Sequence, residues 1–193
     1  MICENFFNMR HPRQHIKLRS NEQGFTATEL IVVMAIIAVL VAIAIPSFST
    51  MVPNYRLKAA ARNLYSDMQK ARLQAIKENT LIGVSFTTVA YPADGGGYTV
   101  FIDDGSGGGV AGNAVQDGGE TLLWSRPMEK QISLISADIG HVPRFTFTSR
   151  GVVDGSQSGN VQIRNSQRWY KLTVYAVGGL KLETNTDGGV TWY

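Results

Sequence analysis

Between Leu30 and Ile45 the chain carries no polar side chain: all 16 residues are apolar, and Pro46 follows. A run of that length is enough for a short membrane span or for the core of a secretion signal. Glu29 stands at its front edge. An unpaired carboxylate is costly in hydrocarbon, so one that is kept at that depth reads as functional. The residues ahead of the run are polar and basic, with Arg10, Arg13, Lys17 and Arg19 against Glu4 and Glu22. Positive charge before an apolar segment holds that end in the cytoplasm, which places the bulk of the chain across the membrane.

Two kinds of processing fit these residues. An ordinary secretory signal would be cut after the apolar run, at Ala42-Ile43-Ala44, and would leave Glu29 without a purpose. A cut between Gly24 and Phe25 would instead keep the run, with Phe25 first and Glu29 fifth. In that second form the stretch resembles a type IV prepilin: a basic leader ending in Gly, then Phe, then Glu at the fifth position of a long apolar helix. Pro46 falls where related pilins carry a helix-kinking proline. The resemblance implies cleavage by a prepilin peptidase, N-methylation of Phe25, and a helical filament in which Glu29 pairs with the Phe25 amine of a neighbouring subunit. The local alternative is a Glu29 carboxylate that snorkels to the headgroups. The leader of residues 1–24 is longer than many of its kind, and Met9 offers a second start.

Beyond Pro46 the pattern stays helical. Leu57, Ala61, Leu64, Met68, Ala71 and Ala75 recur at spacings of three and four, one face of a helix reaching about residue 79. Arg56, Lys58, Arg62, Asp67, Lys70, Arg72 and Lys77 occupy the other faces, read as solvated. Pro53 adds a bend. From Phe25 to Lys77 such a helix would be roughly 80 Å long. From Leu81 the chain turns to short β-rich runs between Gly-rich turns, and the predicted strands are 81–88, 98–103, 120–125, 132–136, 145–148, 161–164, 170–177 and 180–183. The last two form a hairpin across Gly178-Gly179. Helix first and strands after predict an α+β fold, a long N-terminal helix packed on an antiparallel sheet.

That order, with the stretches "YTVFIDDGSGGG", "GGETLLW", "FTFTSRGVV" and "YKLTVYAVGGLKLE", resembles the GspH/FimT family of minor pseudopilins. The resemblance implies a leader over 1–24, a membrane and filament-core helix over 25–46, and a periplasmic pilin-like domain over 47–193. It also implies an inner-membrane anchor and partnership with other pilins or pseudopilins. It leaves open a short type II secretion pseudopilus or a type IV pilus.

Composition narrows the chemistry. The formal charge of +3 falls to +1 once the leader is removed, with 14 basic and 13 acidic side chains remaining. Bulk charge therefore gives no reason to expect an acidic partner. Cys3, in the leader, is the only cysteine, and His141 is the only histidine after it. No nucleophile–base set or phosphate loop stands out, so an enzyme and a cofactor are not expected. Asp103, Asp104, Asp117 and Glu120 flank a glycine run and could ligate Ca²⁺, although their spacing is not that of a known calcium loop. The simpler reading of the run is a mobile connection. Some relatives of this type bind DNA through a Gly-Arg-x-Arg hairpin. Here the matching positions are Gly178, Gly179, Leu180 and Lys181, so one arginine is missing. Arg164, Arg168 and Lys171, with Trp169, could supply charge and stacking nearby, or could simply form a hairpin turn. Nucleic acid is the alternative partner and the less favoured one.

Overall fold

The computed structural model describes residues 24–188 and 190–193; the leader through Gln23, with Cys3 and Met9, lies outside the described residues. The chain divides between Ile43 and Ala44 into two units. The first holds the beginning of helix α1, Ala27–Glu78. Among the described residues, Ala27–Ile45 is the one stretch long and apolar enough to cross a bilayer, with mean hydropathy 2.9 and none of it buried.

The second unit holds the rest of α1 and eight strands. They are β1 Ile82–Thr87, β2 Gly97–Ile102, β3 Leu122–Pro127, β4 Ser133–Ile139, β5 Arg144–Phe147, β6 Gly159–Arg164, β7 Trp169–Val174 and β8 Leu180–Asn185. Each strand expected from the sequence is present. Here α1 is amphipathic, and Leu57, Ala61, Leu64, Met68, Ala71 and Ala75 are all fully or almost fully buried. Asn79 ends the helix in the left-handed conformation, at φ 51. The Thr80 amide then reaches back to the Ala75 carbonyl at 3.2 Å, the six-to-one bond that closes a helix C-terminus.

The strands form two antiparallel sheets, in the orders β3-β2-β1-β5 and β4-β6-β7-β8. The sequence pointed to antiparallel pairing but not to this division. Pro127 terminates β3, and Gln131 turns the chain through a left-handed conformation at φ 69, so β4 starts a new sheet. An isolated parallel bridge between Gly95 and Ser133 links the two. One core cluster takes the helix stripe, Val84, Tyr98, Val100 and Phe147 from the first sheet, and Leu134, Val161, Ile163 and Leu172 from the second.

The flanks of the helix are less solvated than the sequence suggested. Asp67 is buried and accepts hydrogen bonds from the Tyr98 hydroxyl at 2.6 Å and from Arg126 Nε at 2.8 Å. Arg72 Nε donates to the Gly151 carbonyl at 2.8 Å, and Lys70 Nζ stands 4.2 Å from the centre of the Trp124 ring. A helix carrying these three side chains is fastened at its edges as well as along its stripe.

A smaller buried layer lies on the other face of the first sheet. Phe101 is fully buried there, directly opposite Gly83 on β1, which in turn pairs with Thr146 on β5. A Cβ on Gly83 would come within 2.6 Å of the Phe101 ring. Gly83→Ala should therefore cost about 1–3 kcal/mol by overpacking. Urea unfolding followed by near-ultraviolet circular dichroism would measure this, and an unchanged midpoint would mean that the ring has room to move.

Candidate functional site

The described chain opens at Gly24, with nothing within 4 Å of where its Cβ would lie, and at Phe25, which is exposed. Thr26, the next residue, begins a reciprocal cap. Glu29 Oε2 accepts the Thr26 amide and the Thr26 hydroxyl, each at 3.1 Å, while Thr26 Oγ1 accepts the Glu29 amide at 3.2 Å. This is a capping box, in which two donors left over at a helix start satisfy one another's residues. Its signature, Thr-x-x-Glu before an apolar run, is present at Thr26–Glu29 and assigns Thr26 a role that the pilin-like reading passes over. Pro46 lies within α1.

The basic residues near the C-terminus do not converge into one cluster of free cations. Lys171 and Lys181 share Glu183, at 3.1 and 2.9 Å to its two oxygens. Through the hydrogen bond between them, the Lys181 ammonium is held up and the Glu183 carboxyl down. Lys171 also stands 4.3 Å from the centre of the Trp192 ring. Arg164 lies between two rings, 3.8 Å from Tyr91 and 4.1 Å from Trp169, and its Nε donates to the Asn165 carbonyl at 3.1 Å. Arg168 is exposed at the β6–β7 turn, which Asn165 Oδ1 organises by accepting the Gln167 and Arg168 amides at 2.9 and 2.8 Å. Asn165 Nδ2 ties that turn to Asn54 of α1 at 2.9 Å.

The acidic residues of the glycine run are occupied by the run itself. Asp103, fully buried, accepts the Gly112 and Ala114 amides at 2.8 Å each and the Thr146 hydroxyl at 2.7 Å. Glu120 accepts the Gly105 and Asp117 amides at 3.0 and 3.1 Å, and Asp117 accepts the Val110 amide at 3.0 Å. Asp104 caps Ser106. Donors of the segment thus point at Asp103, Asp104, Asp117 and Glu120, which serve as its hydrogen-bond acceptors. Among the described residues, no group of three or more His, Cys, Asp or Glu could hold a metal ion. The segment between β2 and β3 is a hydrogen-bonded cover over Phe101 rather than a loose connection. His141 is an exposed loop residue whose amide donates to Asp138 at 2.9 Å.

Sequence reasoning also missed the Tyr98–Asp67–Arg126 network. Burial, reinforced by the hydrogen bond to Asp67, pushes the Tyr98 hydroxyl far up, and the same carboxylate holds the Arg126 guanidinium up. The only signal for it is the position of Asp67, one residue before Met68 and four before Ala71 on the buried stripe.

The C-terminal segment returns along β8, where Thr184 and Tyr193 exchange backbone bonds at 2.9 and 3.1 Å. Asp187 organises this return: the Thr191 amide, followed by Asn185 and the Val190 amide, holds its carboxyl down at about 2. A lowered acid stabilises the folded form fully above the ordinary aspartate value near 3.9, and the benefit disappears as pH falls through about 2. The protection factor of the Tyr193 amide, taken against the intrinsic exchange rate at each pH, should accordingly hold at pH 5 and fall between pH 4 and 2, before those of the amides of β6 and β7. In Asp187→Asn that early step should vanish; a step retained in the variant would assign it to another group.

A long apolar helix with a capped carboxylate at its start, continuing into a helix buried against a β-domain, defines a pilin-like subunit. Residues 60–178 match the family described as Type II transport protein GspH, and residues 19–45 match the prokaryotic N-terminal methylation motif. The chain belongs to the GspH family. It is 38% identical over 82 residues to the pilin-like protein PilA1 of Thermus thermophilus, a match covering 42% of this chain and 48% of that one. The chain thus spans about half the length of that curated relative. Among solved structures it is similar to the type IV minor pilin FimU of Pseudomonas aeruginosa, with 17% identity, TM-score 0.47, and 67% of this chain and 90% of that chain covered. It is also similar to EpsH, the minor pseudopilin of the Type 2 Secretion System of Vibrio cholerae, with 16% identity, TM-score 0.45, and 69% and 98% covered. The family is one of pilin-like structural subunits, not of enzymes.

Proposed function

We propose that the chain is a minor pseudopilin of a type II protein secretion system, anchored in the inner membrane with its β-domain in the periplasm. In this reading prepilin peptidase cuts between Gly24 and Phe25, and Phe25 is N-methylated. The observation that carries the reading is Glu29, a carboxylate at the start of an exposed apolar helix whose neighbouring amine would exist only after that cut. Within a filament, Glu29 pairs with the Phe25 amine of the next subunit, and the two charges relieve one another in a medium where neither is stable alone. Pro46 bends the helix beyond the membrane segment.

A type IV pilus is the second reading, favoured by the identity to a protein named pilin-like. In that setting the chain would be a minor pilin for pilus assembly or DNA uptake. The pairing of Lys171 and Lys181 with Glu183 weighs against the DNA role, because both cations already have a counter-charge. Duplex DNA titrated against the detergent-solubilised chain at about 150 mM salt should bind weakly and lose its grip steeply as salt rises. Submicromolar binding abolished by Arg168→Ala or Lys181→Ala would reverse the preference.

The capping box makes the assembly role testable by itself. Glu29→Gln keeps an acceptor for the Thr26 amide, since glutamine also closes a capping box, but has no charge to offer an amine. N-terminal sequencing of membrane-extracted protein should begin at Phe25 in the wild type and in Glu29→Gln. Both Glu29→Gln and Glu29→Ala should be strongly depleted from complexes cross-linked to other pilin-like subunits in the envelope, while the β-domain stays folded. Normal incorporation of Glu29→Gln alone would reduce Glu29 to a helix cap, and a mature start at Ile45 would make the apolar run a discarded signal.

A further inference from the structure

The two sheets have four outer edges, and three of them meet other segments of the same chain. At β4 the Leu134 amide donates to Gly95 and the Leu134 carbonyl accepts from Val89, at 3.0 and 2.9 Å. At β8 the edge is paired by Tyr193, and at the end of β5 Phe147 bridges to Val153. Strand β3 differs. It pairs with β2 on one side, and no backbone bond on its other side is present among the described residues.

The register says which groups that edge offers. The Met128 amide donates to the Gly96 carbonyl at 2.9 Å, so the ladder is bonded at that pair. Bonded and non-bonded pairs alternate along an antiparallel ladder. Arg126 opposite Tyr98 is therefore bonded to β2, whereas Ser125 opposite Thr99 turns its own N–H and C=O outward. Pro127 occupies the next outward position, where its missing N–H removes nothing from the ladder and closes the open stretch.

The surroundings carry the charge and shape of an acceptor. Trp124, on the same strand, holds the one buried side-chain donor among the described residues that has no acceptor, its indole Nε1. Lys70 stands over that ring and also lines a shallow groove of about 680 Å³ on α1, with Leu73, Ile76 and Lys77. Leu73 and Ile76 are exposed beside it, 63% and 45%.

We propose that β3 accepts an added strand from a neighbouring subunit of the filament. The incoming segment pairs with the backbone of Ser125 and sets an apolar side chain and a carboxylate against the groove of Leu73, Lys70 and Lys77. Main-chain bonds supply the register, and alternate side chains supply the choice of partner. The basic rim selects an acidic segment, and the exposed N–H and C=O of an edge select an extended polypeptide. This assignment rests on the filament reading above.

The test uses the full chain in its native envelope, read as its recovery in complexes cross-linked to other pilin-like subunits. Ser125→Pro deletes the outward N–H at an edge position that tolerates proline, and Ser125→Ala keeps it. Recovery of Ser125→Pro should fall at least tenfold, while Ser125→Ala keeps its place and both variants reach the membrane at wild-type level. Lys70→Glu with Lys77→Glu should also fall. Wild-type recovery of Ser125→Pro beside a failing Glu29→Gln overturns strand addition alone, and wild-type recovery of both overturns the filament reading as well. Should Ser125→Pro not fold, amide exchange in the wild type decides: at Ser125 it should be at least tenfold slower in filaments than in detergent. Equal rates overturn the proposal, and slowed exchange in cells lacking every other pilin-like subunit overturns the choice of occupant.

Discussion

Both sheets are built on one stripe of one helix. Leu57, Leu64 and Met68 fill the space between them, while Ala61, Ala71 and Ala75 let the backbone of α1 come close. A bulky residue at any of these alanine positions would push the sheets off the helix, and a polar one would leave an interior group without a partner. The hydrogen bonds that flank the stripe follow from this closeness. Asp67 reaches Tyr98 and Arg126 on the first sheet, and Arg72 reaches Gly151 beside the β7–β8 turn, because the helix already lies within a side chain's length of both. A Cβ at Gly178 would lie 1.9 Å from the Gly151 carbonyl, so that turn can approach only as glycine.

Asp103 does for the other side of the first sheet what the stripe does for the core. A carboxylate taken wholly out of water needs several donors at once, and it finds them in the Gly112 and Ala114 amides and the Thr146 hydroxyl. That requirement draws the glycine-rich segment down over Phe101. The glycines give the segment the left-handed turns it makes on the way, and the carboxylates hold it there. The same residues that suggested a cation site therefore work as anchors, because their lone pairs face amides.

Periodicity explains what could be read from the sequence. The six buried helix positions and all eight strands followed from spacings of three and four, then of two, since those patterns record which face meets the core. The separation into two sheets was not legible, because pairing between strands far apart in sequence leaves no local trace. Tyr98, Asp67 and Arg126 were hidden for the same reason. Other signals were local and went unused. Thr26 and Glu29 stand three apart at a helix start, as a capping box requires. Lys181 and Glu183 stand two apart on a strand, which places opposite charges on one face. That pair alone argues against a row of free cations at the β8 edge.

Under the proposed assembly, the cap at Thr26 also bears on how the chain would carry a carboxylate at the membrane before it has a neighbour. In the lone subunit the Thr26 amide and hydroxyl both donate to Glu29 Oε2, so the charge is partly satisfied at no cost to the helix, whose first turn would otherwise leave those donors open. Among the described residues only Oε2 accepts a hydrogen bond, and in the proposed assembly the other oxygen would offer its lone pairs to an incoming amine. A carboxylate with no local donors would resist insertion, and one bound on both oxygens would have little to gain from a neighbour. Glu29 lies between these limits. In the proposed assembly the same four residues would keep a subunit tolerable in the bilayer and leave it incomplete until it joins another.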